Sequence, residues 1–292
     1  MEHARVLSVC CALVVGGVLA GGCTNDPGAG KGAGNTKAAS GASQSAEPGG
    51  EAEPEPGGET EPEPVTSPTI QADPDKQPGT EAEARALIRR VIGGPELFGS
   101  QAERGTPYES DPSRWAVLGE DCVWQREVLP DDVLATLTRH YVIPAGGGKG
   151  TVRMSATVTV HRTALDAAWE QAGMLEEALG CQEQTLRQGE RLVELTSSAH
   201  AAGEGGNNHS DDLLIESGQC VSDTHGGPYP YDWQQAQQGS VVISTSVCGG
   251  RGRDEAELSD MAGGALPTMM VRLQDEIGRP VGDSGQDTKG GA

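Results

Sequence analysis

Residues 151–161 read Thr-Val-Arg-Met-Ser-Ala-Thr-Val-Thr-Val-His, and apolar and polar side chains alternate along most of this stretch. A period of two is typical of a β-strand that buries one face. The stretch therefore predicts a half-buried strand, which needs neighbouring strands and a covering layer. Its apolar side consists of Val152, Met154, Ala156, Val158 and Val160, and its polar side of Arg153, Ser155, Thr157, Thr159 and His161.

Helix signals lie on both sides of this strand. Residues 81–92 carry apolar side chains at helical spacing, and Gly93, Gly94 and Pro95 end the pattern. A short helix is predicted from Pro130 or Asp131 to Thr138, and a final helix from Asp254 onward. Between them, Thr163 caps a helix whose apolar stripe is Leu165, Ala168, Trp169, Ala172, Leu175 and Leu179.

Further strands are predicted at residues 123–128, 191–197, 212–217 and 240–248, which are rich in β-branched and alternating apolar residues. Together with the helices, they predict an α+β fold. We expect a mainly antiparallel sheet with helices packed on one side.

The overall charge excludes several partners. The chain has 43 Asp and Glu against 21 Lys and Arg, a formal charge of −22. Binding to nucleic acid or to anionic lipid depends on Lys and Arg, so neither a nucleic-acid partner nor electrostatic membrane attachment is predicted.

The first 23 residues predict export with a lipid anchor. A basic start precedes an apolar run from Val6 to Leu19, which is too short to span a bilayer. The run ends in Ala20-Gly21-Gly22-Cys23, which resembles a bacterial lipobox. The resemblance implies a signal peptide over 1–23 and a diacylglyceryl group on Cys23, with the mature protein on the extracytoplasmic face of the cell membrane. The alternative is an ordinary signal peptide that is cut elsewhere.

The rest of the chain divides by composition. Residues 24–80 hold 10 Gly, 9 Pro and a repeated Glu-Pro run, and they predict a disordered tether. All nine aromatic residues follow residue 97, so residues 81–278 are predicted to form the folded domain. Residues 279–292 are predicted to be a frayed tail.

Four cysteines belong to the predicted domain: Cys122, Cys181, Cys220 and Cys248. An even number in an exported domain predicts two disulfides, and the sequence alone allows three pairings. No Cys-x-x-Cys pair is present, which argues against a zinc site. Neither a metal site nor a cofactor is predicted.

The layout resembles a known family. A tether and a leading helix precede the first cysteine, Trp169 lies on a helix that ends at Leu179-Gly180-Cys181, and Gln238 to Ile243 lead to an Ala-rich helix. This arrangement resembles the PknH-like extracellular sensor domain of actinobacterial receptor kinases and stand-alone lipoproteins. The resemblance implies disulfides Cys122–Cys181 and Cys220–Cys248 and a ligand-binding cleft. It supplies no catalytic residues.

The candidate ligand-binding residues are His225, Tyr229, Tyr231, Asp232 and Trp233. In an extended segment the three aromatics share one face, where they suit stacking on a ring or a glycan, and His225 or Asp232 would orient it. The alternative is that these aromatics fill the core. We therefore predict a binding protein rather than an enzyme, with a small molecule, cell-wall fragment or protein as ligand. The other hypotheses are a secreted hydrolase with a Ser, His and Asp site and a structural envelope protein.

Overall fold

A computed structural model describes residues 70–280. The signal peptide, Cys23, most of the predicted tether and residues 281–292 lie outside this range. The described residues contain helices α1 (Glu81–Val91), α2 (Ala164–Gly180) and α3 (Glu255–Ile277). Their strands are β1 (Ile70–Ala72), β2 (Glu103–Glu109), β3 (Arg114–Leu118), β4 (Trp124–Val128), β5 (Val133–Ile143), β6 (Val152–His161), β7 (Gln184–Arg187), β8 (Glu190–Ala201), β9 (Asp212–Ser222), β10 (Gly226–Gln238), β11 (Val241–Cys248) and β12 (Gly278–Pro280).

One antiparallel sheet of eight strands dominates the domain, in the order β2-β5-β6-β11-β10-β9-β8-β7. Two ribbons, β1–β12 and β3–β4, lie apart from it. The predicted α+β class with a mainly antiparallel sheet is confirmed. The predicted strand at residues 151–161 is β6, and it pairs with β5 and β11 near the middle of the sheet.

The apolar side of β6 faces the main core. Val152, Ala156, Val158 and Val160 are fully buried there, together with apolar residues of α1 and α3. The final helix buries the residues that its periodicity selects, among them Leu258, Met269 and Leu273. Helices α1 and α3 therefore cover one side of the sheet, so the prediction that helices pack on one side holds for these two of the three.

Helix α2 lies against the opposite side. His161 belongs to the polar side of β6, and its Nε2 atom lies 2.6 Å from Oε2 of Glu170 on α2. Gln171 of α2 donates to the carbonyl oxygen of Gln235 on β10. We call this second side of the sheet the polar face. It comprises Thr136, Thr138, His140, Arg153, Ser155, Thr157, Thr159, His161, Ser244, Ser246, Tyr231, Trp233, Gln235, Gln237, Glu216 and Ser197.

The polar face is concave. Arg153 on β6 and Glu190 at the start of β8 are separated by β11, β10 and β9. In a flat sheet, strands four places apart lie roughly 19 Å apart, and at this distance the two side chains would not form a salt bridge. Nη1 of Arg153 nevertheless lies 2.5 Å from Oε1 of Glu190. The sheet therefore curls so that its two halves face each other across the polar face.

One predicted helix is wrong. Residues 130–138 form a turn at Pro130 and then strand β5, which runs to Ile143. The acidic residues Asp131 and Asp132 suggested a helix start, but Val133 to Ile143 pair with β6 along almost its whole length. Long-range pairing of this β-branched stretch therefore overrides the local helix signal.

The lower boundary of the domain also differs from the prediction. Residues 70–80, assigned to the tether, belong to the fold because β1 pairs with β12 and Thr80 caps α1. Oε1 of Gln77 accepts hydrogen bonds from the backbone amide and the hydroxyl of Ser240, at 3.0 and 2.9 Å. At the other end, Arg279 and Pro280, assigned to the tail, are part of β12. These contacts extend the domain to Ile70 and Pro280.

Helix α2 begins at the predicted cap, but its predicted apolar stripe faces outward. Leu165, Trp169 and Leu179 are 66%, 68% and 68% exposed. The helix buries Ala167, Gln171 and Ala178 instead. The polar face beneath it offers hydrogen-bonding groups, so the polar and small side of α2 packs against the sheet.

Both disulfides are present with the pairing that the resemblance implied. Cys122, just before β4, is joined to Cys181 at the carboxyl end of α2. Cys220 on β9 is joined to Cys248 on β11, across β10. The first disulfide fixes the β3–β4 ribbon to the end of α2, and the second spans the centre of the sheet.

Candidate ligand-binding face

The structure separates the five candidate ligand-binding residues. The segment predicted to be extended is strand β10, in which Tyr229, Tyr231 and Trp233 project to the polar face. Asp232 lies between them and projects to the other side of the sheet. His225 lies in the exposed turn before β10, where its backbone amide donates to Oγ of Ser222. The three aromatics share one face as predicted, but His225 and Asp232 do not join them.

Tyr229 and Tyr231 are partly buried against the second disulfide. They pack on a small cluster formed by Leu192, Leu195 and the Cys220–Cys248 pair. Burial raises the pKa of Tyr231, and the neighbouring Glu216 carboxylate raises it further. For these two tyrosines, the geometry therefore corresponds to the alternative in which aromatics fill the core.

Trp233 has a different environment. It is half-buried, and its cross-strand neighbours are Ser246 on β11 and Glu216 on β9. The cross-strand pairing continues from Ser246 to β6 and β5, and from Glu216 to β8. The result is a row of six side chains on six adjacent strands, which we call the central row. It consists of His140, Ser155, Ser246, Trp233, Glu216 and Ser197.

Hydroxyl groups form the middle of the polar face. Oγ of Ser155 and Oγ of Ser246 lie 2.7 Å apart, and the hydroxyls of Thr138 and Thr157 lie 2.9 Å apart. Ser155, Ser246, Thr138 and Thr157 are only half-buried. Hydroxyls both donate and accept, so this surface can exchange its internal hydrogen bonds for bonds to a polar ligand.

Carboxylates without hydrogen-bond partners lie at the α2 end of the polar face. Glu216 is 4% exposed, and its Oε1 makes no hydrogen bond within residues 70–280. Oε2 of Glu177 on α2 is likewise buried and unpartnered within this range. Burial raises the pKa of Glu177 to about 7, with a further contribution from Glu170. Burial also raises the pKa of Glu216 to about 7, and the Glu177 charge adds to this effect.

Two arginines of the polar face meet at Glu190. The Glu190 carboxylate contacts Arg153 through one oxygen and Arg187 through the other, at 2.5 and 3.0 Å. Arg153 also donates to Sγ of Cys248, at 3.0 Å. The pKa of half-buried His140 is lowered by burial and by the positive charges of Arg126 and Arg187. The polar face thus runs from a cationic edge to an acidic interior.

The hydrolase hypothesis requires a Ser or Asp hydrogen-bonded to a histidine ring in a pocket. The ring of His161 bonds to the Glu170 carboxylate, which lies under α2. Within residues 70–280, neither His140 nor His225 makes a ring hydrogen bond to a Ser or Asp side chain. The ring of His200 does contact a serine, with its Nε2 atom 3.2 Å from Oγ of Ser198, but this contact is exposed at the surface.

Asp232 lines a cleft on the other side of the sheet. The cleft has a volume of about 280 Å³, and its wall includes Glu194, Tyr231 and the start of α3 at Glu255. Burial raises the pKa of Asp232. With Glu194 and Glu255 beside it, this cleft is acidic, and of the polar-face residues named above only Tyr231 lines it.

Two further features bear on the site. Across residues 70–280, the His, Cys, Asp and Glu side chains form no group of three or more that is arranged to hold a metal ion. None of α1, α2 and α3 combines the length and the apolar character that crossing a bilayer requires.

Sequence reasoning missed Ser155, Ser246 and Glu216 as members of one site, and it considered His140 only as a possible hydrolase histidine. The alternation of residues 151–161 did assign Ser155 and His161 to the polar side of a strand. This polar side was the one feature of the sequence that indicated the polar face of the sheet. What was missing was the strand order, which brings His140 and Glu216 into one row with Trp233.

Comparison with known proteins gives limited information. No protein-family model and no curated protein sequence match this chain. Among solved structures, the chain is similar to the extracellular domain of PknH from Mycobacterium tuberculosis. The identity is 13%, the TM-score is 0.40, and the match covers 69% of this chain and 100% of that one. The function therefore has to be inferred from the residues themselves.

Proposed function

We propose that this protein is an extracytoplasmic lipoprotein whose domain binds a carbohydrate-type ligand on the polar face, as a sensor-like binding module. The observation that carries the proposal is the environment of Trp233. A half-buried indole lies in a row with Ser246 and Ser155, on a sheet face that is otherwise hydroxyl-rich. An aromatic face next to paired hydroxyls suits a polyhydroxylated ring, because the ring stacks while its hydroxyls exchange hydrogen bonds.

The curvature of the sheet supports the same proposal. A concave surface contacts more of a ligand than a flat one does, and binding sites are generally concave. The Arg153–Glu190 contact holds the two halves of the sheet toward each other. Trp233 and Ser246 lie on β10 and β11 between these two residues, and Ser155 lies on β6 with Arg153.

The extracytoplasmic location rests on two features. Disulfides Cys122–Cys181 and Cys220–Cys248 persist in oxidising compartments and are rare in the cytosol. The sequence before Cys23 resembles a lipobox, and two or more acyl chains would anchor the protein stably. The Cys23→Ala variant should appear in the culture medium. Its retention in the membrane fraction would contradict the anchor.

Binding is tested with the mature protein and soluble glycan fragments from muramidase-digested peptidoglycan. We expect a rise in melting temperature with the fragments, and loss of that rise in Trp233→Leu. The matched control is Trp169→Leu, which removes an exposed indole from the outer side of α2. An equal response from both variants would contradict the proposal. A second polar-face variant, Ser246→Ala, keeps the test valid if Trp233→Leu does not fold.

A further inference from the structure

The cationic edge of the polar face indicates what kind of glycan binds, so this inference rests on the proposed function. We infer that the ligand carries an oxyanion, either a carboxylate or a phosphate, which docks beside His140 between Arg126 and Arg187. The chain as a whole has a formal charge of −22, which makes a convergence of arginines in one place unusual.

The arginines converge because three separate contacts hold β4 against β7. Cys122 is disulfide-bonded to Cys181, the backbone amide of Thr185 donates to the carbonyl oxygen of Cys122 at 2.9 Å, and Nε1 of Trp124 donates to Gln184. Val123 and Thr185 form a parallel bridge. Arg126 and Arg187 follow this bridge by three and two residues, and both lie close enough to His140 for their positive charges to lower the pKa of its ring.

The charges at this edge are not balanced by the protein. Glu190 is shared by Arg153 and Arg187, so one carboxylate serves two guanidinium groups. Arg126 makes no salt bridge and no side-chain hydrogen bond within residues 70–280, and it is exposed. Among Arg126, Arg153 and Arg187, the salt bridges thus reach a single carboxylate, that of Glu190, which leaves the guanidinium groups in excess over the carboxylates they contact.

Neighbouring groups connect this edge to the proposed glycan surface. His140 lies on the polar face as the cross-strand neighbour of Ser155, the first serine of the central row. Arg153 lies two residues before Ser155 on the same side of β6. Arginine presents several N–H donors in a fixed plane, which matches the oxygens of carboxylate and phosphate groups. A ring near Trp233 and an anionic group at the arginines would thus be held by one continuous surface.

The test compares sugars that differ in charge. The probes are N-acetylglucosamine, which is neutral, N-acetylmuramic acid, which adds a carboxylate, and N-acetylglucosamine 6-phosphate, which adds a phosphate. We expect at least one anionic sugar to bind about tenfold or more tightly than the neutral one, measured by isothermal titration at low salt. The anionic sugar that binds more tightly shows whether the natural ligand carries a carboxylate or a phosphate. The preference should fall as salt is raised, because exposed charges are screened.

Arg126→Gln should reduce the affinity for the preferred anionic sugar about tenfold and leave the weak binding of the neutral sugar unchanged. Arg89→Gln is the matched control, since Arg89 is an exposed arginine on α1, on the far side of the sheet. Equal binding of neutral and anionic sugars, with loss of both in Trp233→Leu, would overturn this inference while the proposed function stands. Binding that is insensitive to Trp233→Leu would overturn the proposed function. If none of the three sugars binds, the anion inference is wrong, and the peptidoglycan-fragment test then decides the proposed function separately.

Discussion

His161 and Glu170 form a buried contact under helix α2, with Nε2 of the imidazole 2.6 Å from Oε2 of the carboxylate. The His161 side chain is 2% exposed and that of Glu170 is 16% exposed. Glu170 also accepts a hydrogen bond from Nε2 of Gln235 on β10. This contact therefore links the helix to two strands of the sheet.

Replacing His161 with Leu should lower the free energy of unfolding by about 3 kcal/mol, because it leaves the Glu170 carboxylate buried without its main partner. Glu170→Gln keeps a hydrogen-bonding group and should cost about 1 kcal/mol. Urea unfolding measures both, with Glu176→Gln on the exposed side of α2 as control. Equal losses of unfolding free energy in all three variants would contradict a specific stabilising contact between His161 and Glu170.

The stability of the domain should fall between about pH 4.5 and pH 7. In the folded state the pKa of Glu177 and that of Glu216 are both raised to about 7, whereas unfolded glutamates titrate near 4.5. Below this window both states are protonated. Within it the unfolded state releases protons first, so the unfolded state is favoured as pH rises. The loss should be about 3 kcal/mol per group.

The Glu177→Gln/Glu216→Gln variant isolates this effect. It should be more stable than the natural protein at pH 8 and similar to it at pH 4.5, as measured by urea unfolding at both values. If the stabilities of the two proteins differ by the same amount at both pH values, neither carboxyl group has the raised pKa.

The outward stripe of α2 should be dispensable for folding. Trp169→Ala should change the free energy of unfolding by less than about 0.5 kcal/mol, since the indole is 68% exposed. Ala167 is fully buried, so Ala167→Leu should cost about 1–3 kcal/mol through overpacking. Thermal or urea unfolding of the two variants compares them directly. The reverse order would mean that the predicted stripe faces the core.

Removing the disulfide that holds the β3–β4 ribbon should destabilise the domain by about 4 kcal/mol in the chain-entropy model. The Cys122→Ala/Cys181→Ala variant should also lose the preference for an anionic sugar. The disulfide fixes the chain just before β4, and β4 carries Arg126. Non-reducing mass mapping of the natural protein should find no free thiol among the four domain cysteines. A variant that keeps the sugar preference would show that the ribbon is positioned by other contacts.

The length of the folded unit can be tested by truncation. A chain that starts at residue 81 lacks β1 and the Gln77 bonds to Ser240, and it should lose about 2–4 kcal/mol relative to a chain that starts at residue 70. Gln77→Ala in the longer chain should account for about 1–2 kcal/mol of this loss. Equal stability of the two truncated chains would restore the boundary at residue 81 that composition predicted.

Local patterns predicted much of the fold correctly. The alternation along β6 and the periodicity of α3 each identify a buried face, because both elements pack an apolar side on the main core. Helix α2 breaks this rule. Its apolar stripe includes Trp169, yet the sheet face beneath it is polar, so hydrogen bonds such as Gln171 to Gln235 decide its orientation. No local pattern in α2 reveals what lies under it.

The candidate site was predictable only in part. The spacing of Tyr229, Tyr231 and Trp233 correctly placed them on one face, but this segment was not among the predicted strands of the sheet, in which it forms β10. His140 was considered only as a possible hydrolase histidine, and the strand that carries it was not predicted, because residues 130–138 were predicted to be a helix. Its place beside Ser155 depends on pairing between β5 and β6, which is a property of the sheet and not of either segment.

The short β1–β12 ribbon has a practical consequence. Ile70 and Pro280 are directly paired, so the two ends of the described domain lie next to each other. A brief linker between them should allow the chain to be circularly permuted and reopened at the exposed turn Gly146–Lys149. The same domain could then be displayed from another point on its surface, with all strands of the polar face retained.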